Sequence, residues 1–125
     1  MNEFVISLGS NIDADKNIQK ALIALQELGE VKCVSDILIT KPIGIINQAD
    51  FNNGAILFYA DYTLNNLIID LKNIENQLGR DRNRPKFGPR EIDLDVVVFN
   101  NQIVDADYHS REFLRNVVHQ VWTKK

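Results

Sequence analysis

The sequence predicts an α+β sandwich, with helices packed on a mainly antiparallel sheet. Two observations carry that expectation. Segments 15–28 and 64–78 repeat apolar residues at the helical period, whereas 4–8, 31–40, 51–60 and 91–99 are short β-branched or alternating runs. The segments also follow one another in the order β-α-β-β-α-β, which closes into a sheet with both helices on it. With 125 residues the chain is expected to be one domain, long enough to bury a core.

The elements follow in order. Phe4 to Leu8 form an apolar strand that stops at the turn residues Gly9, Ser10 and Asn11. In 15–28, Ile18, Ala21, Leu22, Leu25 and Leu28 make one stripe, with Asp13 or Asp15 as N-cap and Gly29 as the stop. Residues 31–40 read as one strand, in which the sole cysteine, Cys33, is an inert member among Val31, Val34 and Ile37. Pro42, Gly44 and Asn47 make 41–50 a loop, and 51–60 is the next strand. Thr63 caps a helix whose stripe is Leu64, Leu67, Ile68, Leu71, Ile74 and Leu78, and Gly79 ends it. In 91–99 the alternation puts Ile92, Leu94, Val96 and Val98 on one face and Asp93, Asp95, Val97 and Phe99 on the other. Asn100-Asn101 turns the chain into a short strand at Ile103-Val104. Ser110 is expected to cap a last helix with Leu114, Val117, Val118, Val121 and Trp122 as its stripe. The order β-α-β-β-α-β is that of a ferredoxin-like sandwich, an architecture that hosts many functions and fixes none.

Composition narrows the field. The chain is 45% hydrophobic and 25% charged, with a formal net charge of -3, which weighs against general nucleic-acid binding. One cysteine means no internal disulfide and points to a reducing compartment. No apolar run approaches a membrane span and no signal-peptide pattern opens the chain, so a cytoplasmic, monomeric protein without a membrane partner is expected.

Chemistry concentrates in residues 78–95. Arg80, Arg82, Arg84, Lys86 and Arg90 face a single acid, Asp81, within one loop. The following strand sets Asp93 and Asp95 at i and i+2, on one face. Paired carboxylates repel one another unless a cation joins them, and hard divalent ions take oxygen ligands of this kind. Cations on a mobile loop beside such a pair point to Mg²⁺-assisted chemistry on a polyphosphate. The plainer alternative is a solvated strand face and a solvated loop, and for Arg84 and Lys86 that alternative stays open. Glu75 falls on the apolar stripe of the second helix and needs a partner, either Arg80 or Lys72 locally or a ligand-side group. Phe51 and Asn53 share a strand face, as core packing or as an aromatic platform beside an amide. Gly9-Ser10-Asn11 reads as a strand-to-helix turn rather than a phosphate cradle, because the GxxxxGK[ST] pattern is absent.

Leu78-Gly79-Arg80 followed by Gly88-Pro89-Arg90-Glu91-Ile92-Asp93-Leu94-Asp95 resembles the signature of the 6-hydroxymethyl-7,8-dihydropterin pyrophosphokinase family. Ile6-Ser7-Leu8-Gly9-Ser10-Asn11 resembles its first strand and turn, and Phe51-Asn52-Asn53-Gly54-Ala55 its aromatic-x-Asn element; the likeness runs in order from Phe4 to Phe99. The resemblance implies a ferredoxin-like fold and transfer of diphosphate from ATP to the 6-hydroxymethyl group of the pterin, with release of AMP. It implies that Asp93 and Asp95 hold two Mg²⁺ ions, and that Arg80, Arg82 and Arg90 bind phosphate, with Arg82, Arg90 and Asp95 as the catalytic set. Glu75, His109 and Arg111 would join them on the ATP side. Thr40, Pro42, Ile43, Phe51, Asn53 and Phe113 would hold the pterin, and Phe87 would close over the substrates. The chain departs from the pattern in three places: Lys41 stands where the family has the first of two prolines, Tyr108 to Phe113 compress the region around a His-Pro segment, and a Pro-Leu pair is missing from the last helix. A catalytically weak relative that binds nucleotide or pterin is therefore the second reading. A ferredoxin-like RNA-binding module is a remote third, since Phe51 to Ala55 lack the aromatic pattern such modules carry.

Overall fold

β1 (Asn2–Ser10) is the central strand of the molecule, and the site is assembled at its C-terminal end. The computed structural model describes residues 1–123. After β1 come α1 (Ala14–Leu28), β2 (Glu30–Val34), β3 (Leu38–Thr40), β4 (Phe51–Ala60), α2 (Leu64–Gln77), β5 (Asp93–Phe99), β6 (Gln102–Ile103), α3 (Asp107–Ser110) and α4 (Glu112–Val121). The sheet order is β2-β4-β1-β5-β6, with β3 paired to β4, and every pairing is antiparallel. This is the ferredoxin-like arrangement expected: each β-α-β unit skips one position, so α1 and α2 lie on the same face.

Phe4, Ile6, Leu8, Ile18, Leu25, Phe58, Leu67, Leu71 and Leu94 are buried between that face and the two helices. The opposite face is covered by α4, where Val5, Ala55, Val97 and Val98 pack on Leu114, Val117, Val118, Val121 and Trp122. The expected last-helix stripe is thus the stripe observed, and it adds a third layer to the sandwich.

Five local expectations are corrected. The single strand over 31–40 is two, β2 and β3, lying end to end along β4. The break falls at Ser35, whose hydroxyl accepts the Ala55 N–H at 2.8 Å in place of a backbone carbonyl, and Ile37 folds over Gly54, where a Cβ would stand 2.8 Å from it. Cys33 lies exposed on that edge rather than among packed neighbours. In β5 the alternation breaks: Val5 pairs with Val98 and Ile6 with Val96, so Val97 is a bulged residue. Val98 therefore joins the α4 layer, and Phe99 turns back to the helical face, its ring 5.2 Å from Phe4. Ser110 ends α3 instead of capping α4, whose N-cap is Arg111 with no side-chain cap. At α1 the N-cap Asp13 sits in the left-handed region, also without a side-chain cap bond.

The end of α2 matters for the site. Thr63 caps its start by accepting the Asn66 N–H. At its end the Gly79 N–H bonds Asn76 O and the Arg80 N–H bonds Glu75 O, with Gly79 at φ 89°. This is a Schellman motif, and it reverses the chain so that Arg80 starts back across the helix end. A Cβ on Gly79 would meet nothing within 4 Å. Gly79→Ala is thus expected to cost only the left-handed backbone penalty, about 1 kcal/mol, measurable by urea unfolding.

Candidate active site

The C-terminal end of β1 meets the N-terminal ends of β4 and β5: Gly9 pairs with Asn53 on one side and Asp93 on the other. Two loops rise over this end, residues 41–50 and residues 80–90, and between them lies a cavity of about 450 Å³. Its lining includes Thr40, Ile43, Phe51, Asn53 and Phe113 together with Arg80, Arg82, Arg84, Arg90 and Asp93. The first of these groups is ordered by its own bonds. Asn53 donates its amide to the Thr40 hydroxyl at 2.6 Å, and its carbonyl oxygen lies against Gly9, where a Cβ would stand 3.1 Å away. The Arg90 guanidinium stands 5.9 Å over the Phe51 ring.

The arginines are gathered by carboxylates. Arg80 and Arg90 each donate to Asp93 at 3.0 Å, one to each oxygen. Glu75, fully buried, receives Arg82 at 2.8 Å, Arg80 at 3.3 Å and Lys72 at 3.6 Å around one oxygen. Its other oxygen accepts the Leu94 N–H at 2.7 Å. Leu94 lies beyond the part of β5 that β6 covers, so Glu75 ties α2 to an open strand edge while holding both arginines. The local partners expected for Glu75 are both present, and Arg82 is a third.

Asp95 occupies a different position from Asp93. It lies where a recess of about 80 Å³, lined by both carboxylates, Asp105, Asp107, Arg111 and Phe113, meets a second recess of about 270 Å³. The second recess is walled by Ile68, Leu71, Leu94, Val96, Val104 and Ala106 together with the charged Lys72, Asp105 and Asp107. The nearest cation to Asp95 is Lys72 at 3.8 Å. Its side chain keeps 44% of its surface open to solvent, and desolvation of the rest against the cleft walls, followed by the charge of Asp93, pushes its carboxyl up to about 7. A carboxylate pair in which one member is neutralised by arginines and the other is held toward its protonated form is short of positive charge. Among the described residues no group of three or more His, Cys, Asp or Glu side chains is placed to hold a metal unaided. A Mg²⁺ ion commonly takes one or two carboxylates and completes its shell with water and phosphate oxygens, and Asp93 and Asp95 are the carboxylates that could serve it here.

Three features were not read from the sequence. Asp105 and Asp107 add two acids to the recess around Asp95. Arg84, left open as a solvated residue, pairs with Glu91 at 2.7 Å. Asn11 clamps the two loops together: its amide donates to Gln48 Oε1 and Ala49 O, both at 2.9 Å, while its oxygen accepts the Arg90 N–H at 2.9 Å. Gln48 in turn donates to Phe87 O at 2.6 Å, and Phe87 packs on Gly44, where a Cβ would lie 3.0 Å from the ring. Asn11 is thus a side-chain clamp, a role no spacing rule reveals. Asn11→Ala would leave several of these groups without partners, at a cost of about 1–3 kcal/mol. It is also expected to raise KM for the ligands of both loops, read from urea unfolding and steady-state kinetics together.

Of the other sequence-derived residues, Arg111 and Phe113 line the cleft. Pro42 does not line any of the three recesses, and neither does His109, which is exposed on α3 with its ring edge-on to Tyr108. His119, read as helix surface, is exposed and meets the Tyr108 hydroxyl at 2.7 Å.

Fold and site together define a class: a ferredoxin-like α+β protein with a cationic, carboxylate-bearing cleft at one end of its sheet. Residues 5–123 match the family model described as 7,8-dihydro-6-hydroxymethylpterin-pyrophosphokinase. The chain belongs to that family. It is 32% identical over 100 residues to the 2-amino-4-hydroxy-6-hydroxymethyldihydropteridine pyrophosphokinase of Aquifex aeolicus, covering 79% of this chain and 62% of the relative. It is 35% identical over 105 residues to the enzyme of that name from Bacillus subtilis, covering 82% and 62%. A folate synthesis bifunctional protein of Arabidopsis thaliana is 33% identical over 107 residues, covering 84% of this chain and 22% of the relative. The chain thus spans less than two thirds of the length of these three relatives.

Proposed function

We propose that this chain transfers diphosphate from ATP to 6-hydroxymethyl-7,8-dihydropterin. The hydroxymethyl oxygen forms a bond to the β-phosphorus, the bond from that phosphorus to the oxygen bridging it to the α-phosphate breaks, AMP leaves, and the hydroxyl proton is released. The observation that carries the reading is one cleft lined both by aromatic and amide side chains and by arginines gathered on a carboxylate.

In this reading Phe51 and Phe113 hold the pterin ring, and Asn53, its amide set by Thr40, reads the mixed donor and acceptor edge of the heterocycle. Ile43 and the backbone around Pro42 complete that side. Arg82 and Arg90 stabilise charge on the moving diphosphate, and Arg80 anchors phosphate. Arginine suits both tasks because its planar fork donates two parallel bonds. Glu75 fixes Arg80 and Arg82, and Arg111 serves the ATP side. The recess beside Asp95, part aliphatic and part charged, suits the base of the nucleotide, while His109, exposed on α3, is left without a role. Asp93 and Asp95 would hold two Mg²⁺ ions, which supply charge neutralisation of the triphosphate when bound. No side chain is assigned as general base, since positioning and charge stabilisation account for most catalysis of phosphoryl transfer.

The reading takes residues 1–125 as one pyrophosphokinase-like domain acting as a cytoplasmic monomer on small molecules, with no nucleic-acid partner. Among the described residues no helix is long and apolar enough to cross a membrane. The test is AMP release from Mg-ATP with and without the pterin. AMP formed only when the pterin is present supports the reading. Tight Mg-ATP binding without AMP would replace it with that of a ligand-binding relative.

A further inference from the structure

Glu91 stands between the basic loop and β5, and the reaction above gives it nothing to do. Its side chain is largely enclosed, with 13% of its surface open. One oxygen, Oε1, accepts two bonds: Arg84 Nη1 at 2.7 Å and the Asp81 N–H at 3.3 Å. Glu91 is itself fixed, because its carbonyl oxygen accepts the Ser10 hydroxyl at 2.5 Å on the central strand. The start and the middle of loop 80–90 are therefore fastened to one carboxylate anchored on the sheet.

Other side chains also fasten the loop: Arg80 binds Asp93, Ile92 O and Glu75, and Asn11 accepts the Arg90 N–H. Arg82 binds Glu75 and Asn76, Arg90 binds Asp93 and Lys86 O, and Gln48 binds Phe87 O. In the proposed reaction Arg80, Arg82 and Arg90 turn to phosphate, which releases their carboxylate bonds, while the bonds of Asn11 and Gln48 to the loop backbone remain. Arg84 lines the cleft, but the proposed reaction assigns it no phosphate, so the Arg84–Glu91 pair is free to persist through turnover.

We infer that Glu91 is a positioning residue that holds the basic loop closed over the cleft, through Arg84 and the Asp81 amide. Arg82 and Arg90 then reach phosphate from a backbone already in place. The ordering cost of closure is met before the ligand arrives, which appears as tighter binding of both substrates. The kinetic part of this inference rests on the proposed reaction, whereas the conformational part does not.

Limited trypsin digestion of the ligand-free protein tests the conformational part directly, since the Lys86–Phe87 bond lies in the loop. Glu91→Gln and Arg84→Gln are each expected to speed cleavage there about tenfold, the factor carried by one charge-assisted hydrogen bond. The double variant is expected to be no faster than either single, as coupling between contacting partners requires. KM for ATP and pterin should rise by a similar factor with kcat within about twofold, the pattern of lost uniform binding. Arg84 lies on the loop and outside the core, so Arg84→Gln gives a result even where a Glu91 variant fails to fold. Unchanged cleavage in Arg84→Gln, or additive effects in the double variant, overturns the inference. If no AMP forms with the wild-type protein, the reaction proposal fails while digestion still decides the role of Glu91.

Discussion

Asp95→Asn is expected to lower kcat/KM for AMP formation by at least about 10³-fold, because loss of several kcal/mol of charge stabilisation translates into that factor. The same substitution is expected to stabilise the metal-free protein at high pH. The Asp95 carboxyl is raised to about 7 in the folded state by desolvation and by Asp93, against about 4 in an unfolded chain. The folded state therefore holds the proton more tightly. Its stabilising effect is complete below the unfolded value and disappears as pH climbs through 7. Asn carries no charge to lose, so in EDTA the melting temperature of Asp95→Asn should exceed that of the wild type by a few degrees at pH 8 and match it at pH 4. A cation competes with the same proton, so the Mg²⁺ concentration needed for half-maximal activity should rise as pH falls below 7. Near-full activity in Asp95→Asn would remove this residue from the metal seat.

Glu75→Ala is expected to have the largest effect on stability. The substitution leaves Arg80, Arg82 and Lys72 without their common counter-charge and strips the Leu94 N–H of its acceptor. Breaking a buried ion pair from one side costs about 3–5 kcal/mol. Glu75→Gln keeps an oxygen for the Leu94 N–H and loses only the charge, so it should fall between the wild type and Ala in urea unfolding. Activity is expected to drop in both, because Arg80 and Arg82 lose the anchor that sets their direction. A loss below about 1 kcal/mol in Glu75→Ala, within the range of an exposed pair, would mean that Glu75 is not the keystone of the cluster.

Helices and strand order were legible because each rests on local periodicity. The stripes Leu67, Leu71, Ile74 and Leu114, Val117, Val118 are buried as the spacing requires. Asp93 and Asp95 share a face because the strand there is regular, and the same rule failed four residues on. The Val97 bulge depends on how β1 pairs with β5, a partner's property that β5 alone does not encode. The break at Ser35 is likewise set by Gly54 on the neighbouring strand. In the site, the loop cations were visible as charge, but their sorting was not. Arg84 was indistinguishable in sequence from Lys86, yet one pairs with enclosed Glu91 and the other lies over the Phe87 ring. Asn11 looked like a turn residue because its three partners come from loops about 40 and 80 positions away.

The two bonds on Asp93 carry a final consequence. Arg80 and Arg90 occupy both of its oxygens before any ligand arrives. A bare divalent ion must displace two guanidinium groups, leaving Arg80 to Glu75 and Arg90 to the Lys86 carbonyl, and a bare polyphosphate must draw them off and leave the acid uncovered. Only a ligand that brings cation and anion together exchanges every broken ion pair for a new one. Under the proposed function, Asp93 and its arginines would act as a coincidence detector, favouring the whole metal–nucleotide complex over either half.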